Sequence, residues 1–239
     1  MHNDARRALL AELIDHAPLF PPASLPLEEA LEDHRRARTS PEAWMVARFV
    51  CPASRVAELP AEPLRLSVVA DAEIPDDERI EAVEGRKEPA ELVGHAPETY
   101  VEIRTSNRLL LEGIAAVGAR AKVRCGPEAP PIAELAGFIS GCRSAGIPFK
   151  ATAGLHHAVR TDGQHGFLNL LAAGVFGNEE QALAEDDPEA FGLDASSFSW
   201  DGREAGPNEL ARVRRDLFVS IGSCSFTEPV GELKALGIL

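Results

Sequence analysis

Short apolar runs alternate with amphipathic stretches along most of the chain. Residues 45–51 (MVARFVC), 64–70 (LRLSVVA), 80–83 (IEAV), 100–103 (YVEI), 121–125 (AKVRC), 149–153 (FKATA) and 217–221 (LFVSI) have the length and β-branched content of strands. Residues 198–200 (FSW) read as a short strand of the same series. Between them, helical spacing predicts helices over 107–117, 132–145, 167–176 and 209–215, with a short one through Val56 and Leu59. Gly118 and Gly146 stand where such helices terminate. Leu9, Leu10 and Leu13 mark an N-terminal helix over 4–13, which the run LFPPAS ends. Ser24 is placed to cap a second helix reaching about Arg38, with Glu28 and Glu29 in its first turn.

Strands separated by helices through short connections imply parallel pairing. Seven or eight of them in this length predict a single (β/α)8, TIM-barrel-like domain over residues 1–239, with an N-terminal helical segment over 1–40. An open doubly wound sheet is the second choice. Neither GxGxxG after the first strand nor GxxxxGK[ST] occurs, so both nucleotide fingerprints are missing. Residues 177–207 are acidic and weakly patterned, and read as an insertion near the seventh strand rather than a second domain.

Charge narrows the partners. Lys and Arg total 24 against 38 Asp and Glu, a net charge of −14. An acidic surface does not suit nucleic acid or an anionic membrane. No apolar run reaches the length of a membrane span, and charges occupy the N-terminal stretch where a secretory signal is apolar, so a cytoplasmic protein is expected. Cys51, Cys125, Cys142 and Cys224 form no CxxC pair and are expected to be reduced, buried and small. A homodimer is the base-rate expectation for the assembly.

The four lysines, Lys87, Lys122, Lys150 and Lys234, are rare beside 20 arginines. Lysine does what arginine cannot: it loses its proton when buried and then acts as base or nucleophile. Lys122 and Lys150 sit inside apolar, strand-like runs. In a parallel barrel the site lies at the C-terminal strand ends. That rule selects Asp71, Glu84, Glu102, Arg104, Lys122, Arg124, Lys150, Thr152 and Ser223. Period-two alternation puts Lys122 with Arg124, and Lys150 with Thr152, on inward faces. Three crowded cations would lower one lysine's pKa. A structural ion pair of Lys150 with Glu102 or Asp71 is the alternative.

His156 and His157 follow the same strand, with Arg160 and His165 beyond, and suit proton transfer at the barrel mouth. The spacing matches no strong metal signature, so no metal ligand is assigned, and a divalent metal stays open as a cofactor. Asn169 is a candidate substrate contact, with a satisfied helix amide as its equal alternative. Ser223 and Ser225, in GSCSF, are candidates to cradle a phosphate after the last strand. Asp15 and His16 read as capping residues that close one end of the barrel.

The run PFKATAG (148–154) resembles the Schiff-base strand of class I aldolases of the deoxyribose-phosphate aldolase type. The resemblance implies that Lys150 is the imine-forming lysine, and the strand count above makes its strand the sixth, as in that family. The family's second lysine, in a Lys-x-x-Gly-Gly pattern on the next strand, has no counterpart here; Lys122 lies on the preceding strand. Through LIDHAPLFPPAS, PFKATAGLHH and GSCSF the whole chain resembles a group of uncharacterised bacterial proteins, which implies no activity. The resulting expectation is a lyase or aldolase-like enzyme for a small phosphorylated or carboxylated metabolite. Lys150 is its nucleophile or anchor. Lys122 and Arg124 hold the anion, Glu102 orients a lysine, His156 or His157 moves protons, and Arg104, Thr152, Asn169, Ser223 and Ser225 contact substrate. A metal-assisted lyase or isomerase and a non-catalytic ligand-binding barrel are the alternatives.

Overall fold

A computed structural model describes residues 4–104, 107–126 and 128–239; residues 1–3, at the charged N-terminus, lie outside it. Eight strands form a closed, all-parallel barrel: β1 (Ile14–His16), β2 (Val46–Pro52), β3 (Leu66–Val69), β4 (Ile80–Gly85), β5 (Glu98–Glu102), β6 (Arg120–Arg124), β7 (Phe149–Thr152) and a last strand, Phe218–Ser223. Before that last strand come three short strands, β8 (Phe191–Leu193), β9 (Phe198–Trp200) and β10 (Arg203–Ala205), which make a separate antiparallel sheet; Phe218–Ser223 is therefore β11. Around the barrel, β1 follows β11, β11 follows β7, and β7 to β2 run in descending order, which makes a single-domain α/β barrel and sets aside the open sheet.

The helices α1 (Ala5–Leu10), α2 (Leu27–Thr39), α3 (Pro89–Leu92), α4 (Arg108–Ala116), α5 (Ile132–Ala145), α6 (Phe167–Phe176), α7 (Glu179–Ala184), α8 (Pro207–Asp216) and α9 (Thr227–Ala235) are interleaved with the barrel strands, except that β2, β3 and β4 follow one another without an α-helix between them. Local chemistry sets their ends. The Asn107 side chain accepts from the Leu109 N–H at 2.9 Å and starts α4. Gly146, at φ 65°, ends α5 in the left-handed conformation that glycine adopts most readily. α6 is apolar apart from Asn169, and α7 packs against it.

Four expectations need correction. The 1–40 segment is not helical throughout: it contains β1, a barrel strand. Residues 198–200 do form a strand, but outside the barrel, in the small sheet. With β1 counted, Lys150 lies on the seventh strand of the chain, not the sixth. Ser24 does not cap α2, whose N-cap is Pro26 with no side-chain hydrogen bond.

Register determines what the interior holds. Ser220, Lys150, Lys122 and Glu102 are successive register partners across β11, β7, β6 and β5. Side chains in register on adjacent strands share a face, so these four polar groups form one inward row. Phe149 faces the opposite way, stacked on Phe218 at 4.9 Å and edge-on to Phe138 of α5 at 5.2 Å.

Candidate functional site

The inward row becomes a chain of alternating charges. Lys150 Nζ lies 2.6 Å from Asp15 Oδ2 and 3.1 Å from Glu84 Oε1. Lys122 Nζ lies 2.6 Å from Glu84 Oε2 and 3.1 Å from Glu102 Oε2. Arg86 Nε donates to Glu102 Oε1, Ser67 Oγ donates to Glu84 at 2.8 Å, and Ser220 Oγ donates to Asp15 at 2.9 Å. Three carboxylates thus face three cations. Glu84 is the hinge of the chain, with one oxygen on each lysine.

The two lysines occupy different positions. Lys150 has no exposed surface, and its third side is covered by the Tyr100 ring, 5.2 Å away. Burial opposes its charge, but Asp15 and Glu84 outweigh burial and hold the ammonium above the ordinary lysine range. The crowding expected to lower this pKa is overturned: the exposed Arg124 sits at the strand end, while two carboxylates are in contact. Burial also opposes ionisation of Glu84, and Lys122 and Lys150 reverse that effect, keeping its carboxyl well below the usual range. Burial pushes the Tyr100 hydroxyl up to about 12.

Above this chain, at the C-terminal ends of the strands, opens a cavity of about 890 Å³. Its floor includes Lys122, Glu84, Glu102 and Thr152; Lys150 is not among its lining residues. Lys122 has three donors and spends two on Glu84 and Glu102, which leaves one for a ligand. Thr152 is 9 % exposed, and its Oγ1 has no hydrogen-bond partner among the described residues. Arg86, Arg124, His156 and Gln164 stand on the wall. His156 Nδ1 meets Glu228 Oε2 at 2.8 Å, which leaves Nε2 as the ring nitrogen not used by Glu228. Backbone closes the β6–β7 corner: a Cβ on Gly126 would stand 2.9 Å from Gly154 Cα, so glycine is required there.

The remaining sequence candidates go elsewhere. Asn169 is fully buried and saturated: it accepts from Arg160 N–H and donates to the carbonyls of Ala182 and Glu185, each at 2.8 Å. His157 faces Glu232 at 3.5 Å, and His165 is buried against the Pro130 carbonyl. The three histidines therefore do not converge, and no three His, Cys, Asp or Glu among the described residues form a metal-holding cluster. Ser223 Oγ donates to the Ser225 carbonyl, and Ser225 Oγ accepts from the Glu228 N–H in the first turn of α9. Gly222 and Cys224, not these serines, line the cavity. Arg104 is exposed and off the cavity lining. Asp71 binds Ser54, and the partners of Lys150 are Asp15 and Glu84 rather than Glu102 or Asp71. All four cysteines are free and buried; burial raises Cys125 to about 12 and also raises Cys224, away from nucleophilic use.

Sequence reasoning passed over Asp15 as a cap and missed Arg86, Tyr100, Ser67 and Ser220. His16 is also buried, with Nδ1 3.3 Å from Nδ1 of His34 and Nε2 3.3 Å from Asp33. Burial lowers the pKa of these rings to about 4 and about 3, respectively. Together they fasten α2 to the end of β1. A second cavity, of about 290 Å³, lies at the opposite, N-terminal end. Three of its five arginines are committed to the fold: Arg48 pairs with Glu81 and Glu98, Arg65 with Glu12 and Glu81, and Arg214 with backbone carbonyls of Leu9, Ala11, Phe218 and Val219. No helix among the described residues is long and apolar enough to cross a membrane.

Comparison of the chain with protein-family models, with curated proteins and with solved structures returns no match.

Proposed function

We propose that this barrel is an enzyme of the lyase or aldolase type, acting on a small anionic carbonyl metabolite with Lys122 as the lysine that meets it. The observation that carries this reading is the position of Lys122: on the cavity floor, between Glu84 and Glu102, with one donor left over. A fixed ammonium at that point stabilises the oxyanion that develops when a bond α to a carbonyl is cleaved. Glu102, 3.1 Å from Lys122, takes the proton of the β-hydroxyl as the α–β bond breaks and its electron pair passes to the carbonyl oxygen, and returns a proton to the α-carbon afterwards. His156, steadied by Glu228, moves protons at the rim. Lys150 stays protonated beneath them and fixes Glu84.

An imine version of the same chemistry also runs through Lys122. Its proton passes to Glu102, the free amine adds to the carbonyl carbon, and water leaves. The test is a panel of phosphorylated aldoses and keto acids, each incubated with cyanoborohydride and followed by peptide mapping and calorimetry. The expected results are binding of anionic carbonyl compounds, loss of that binding in a folded Lys122→Met variant, and any reductive adduct on the peptide carrying Lys122. Equal binding by Lys122→Met, or an adduct on Lys150, overturns the assignment.

A further inference from the structure

The cavity wall is divided. On the side of β1, β2 and β3, contiguous in the barrel, it is made of Phe20, Pro21, Pro22, Val50, Val69 and Ala70, without a titratable side chain. On the side of β4 to β7 it carries Glu84, Arg86, Glu102, Lys122, Arg124 and Thr152. Between the two halves, the lining is Gly222 of β11 and Cys224 just after it. Neither half is a chance surface. The apolar half is pre-formed: in the β1–α2 loop, Ala17 N–H donates to the Ser223 carbonyl at 2.7 Å, Ser24 N–H to Phe20 at 3.0 Å, and Leu25 N–H to Pro18 at 2.9 Å. The charged half keeps unused capacity. Arg124 is exposed on the cavity wall and pairs with no carboxylate among the described residues, and the Thr152 hydroxyl is unpartnered. In a chain of net charge −14, a cation left free at a concave surface is a place for an anion.

We infer that the ligand of this cavity is an amphiphilic anion, with a carboxylate or phosphate head against Arg124 and Lys122 and an aromatic or aliphatic body against Phe20, Pro22, Val50 and Val69. A polyhydroxylated anion fits less well, because half of the wall would face its hydroxyls without donors or acceptors. Burial of the body against the preformed wall supplies affinity, and the head sets orientation. The inference rests on the proposed function in taking the same cavity as the ligand site, and it narrows the metabolite to one with an apolar half.

Calorimetry on the full chain tests it with benzoate and phenyl phosphate against acetate and inorganic phosphate, and with benzyl alcohol as the neutral control. The aryl anions should bind at least tenfold more tightly than their tail-less counterparts and than benzyl alcohol. Benzoate and phenyl phosphate, compared with each other, separate a carboxylate head from a phosphate head. Arg124→Gln should bring the aryl anions down to the level of the neutral control. Val69→Ser, with its fold checked by circular dichroism, should bring them down to the level of the tail-less anions. If that variant does not fold, the matched ligand pairs on the wild-type chain decide the matter alone. Equal binding of tail-less and aryl anions overturns the amphiphile and leaves the proposed function standing. Failure of every anion to bind, or equal binding of benzyl alcohol, overturns both.

Discussion

Replacing Lys150 with methionine keeps its length and removes its charge. In the native barrel Asp15, Glu84 and Glu102 face Lys122, Lys150 and Arg86, three against three; the variant leaves three carboxylates and two cations. The loss falls on Asp15, which has no exposed surface and would keep only the Ser220 hydroxyl, since its Oδ1 already lacks a partner among the described residues. Breaking a buried pair from one side costs about 3–5 kcal/mol. A domain is stable by only about 5–15 kcal/mol, so Lys150→Met should lose about a fifth or more of its stability. Urea unfolding followed by fluorescence of the buried Trp200 measures it. Asp15→Asn in the same background restores the balance at two against two, and should recover at least ~2 kcal/mol. A Lys150→Met variant within ~1 kcal/mol of wild type, or a double variant no better than the single one, would refute the view that this network holds the barrel interior together.

Acid should destabilise the fold in a defined window. His16 and His34 are held near 4 and 3 when folded, against an ordinary 6.5, so the unfolded chain takes up protons that the folded one refuses. Stability therefore falls as pH drops from about 6.5 toward 4, by up to ~1.4 kcal/mol per pH unit for each ring. A urea midpoint that stays flat between pH 7 and 5 contradicts this. Asn169→Leu strands one N–H and two carbonyls between α6 and α7 and should cost about 2–4 kcal/mol without altering ligand affinity, as read by calorimetry alongside unfolding. Gly126→Ala drives a methyl group into the Gly154 backbone; a loss of about 1–3 kcal/mol is expected in thermal unfolding, and an unchanged melting temperature contradicts the close approach.

The barrel was legible in the sequence wherever a strand carried polar residues at alternate positions of an apolar run. AKVR and FKAT are such runs, and their lysines are indeed register partners. β1 escaped the same reading. Three residues, Ile14–His16, are too few to show a period, and an acid and a histidine do not look like a strand outside a barrel that turns them inward. FSW misled for the opposite reason: aromatic alternation marks a strand equally well in a small side sheet. The partners of Lys150 were beyond local pattern altogether. Asp15 and Glu84 lie 135 and 66 residues away in the chain, and only closure of the barrel brings them to one ammonium. That is also why the expected direction of the Lys150 shift was wrong. Adjacent strands supplied the cations, and distant strands supplied the anions that outweigh them.

Closure sets a timetable on the ribosome. β1 is translated early and has β2 as its first neighbour, but its other neighbour is β11. Asp15 waits 135 residues for Lys150 and 205 for the Ser220 hydroxyl, while Arg214, which ties β11 to the Leu9 and Ala11 carbonyls, emerges in the same late stretch. At roughly 5–20 residues per second, the nascent chain keeps an open edge on β1 for about 10–40 s after position 15 is made, and on β7 for about 4–14 s after Thr152 is made. An elongation pause before residue 218 would prolong the exposure of those edges, and a chain released there would carry both of them unpaired.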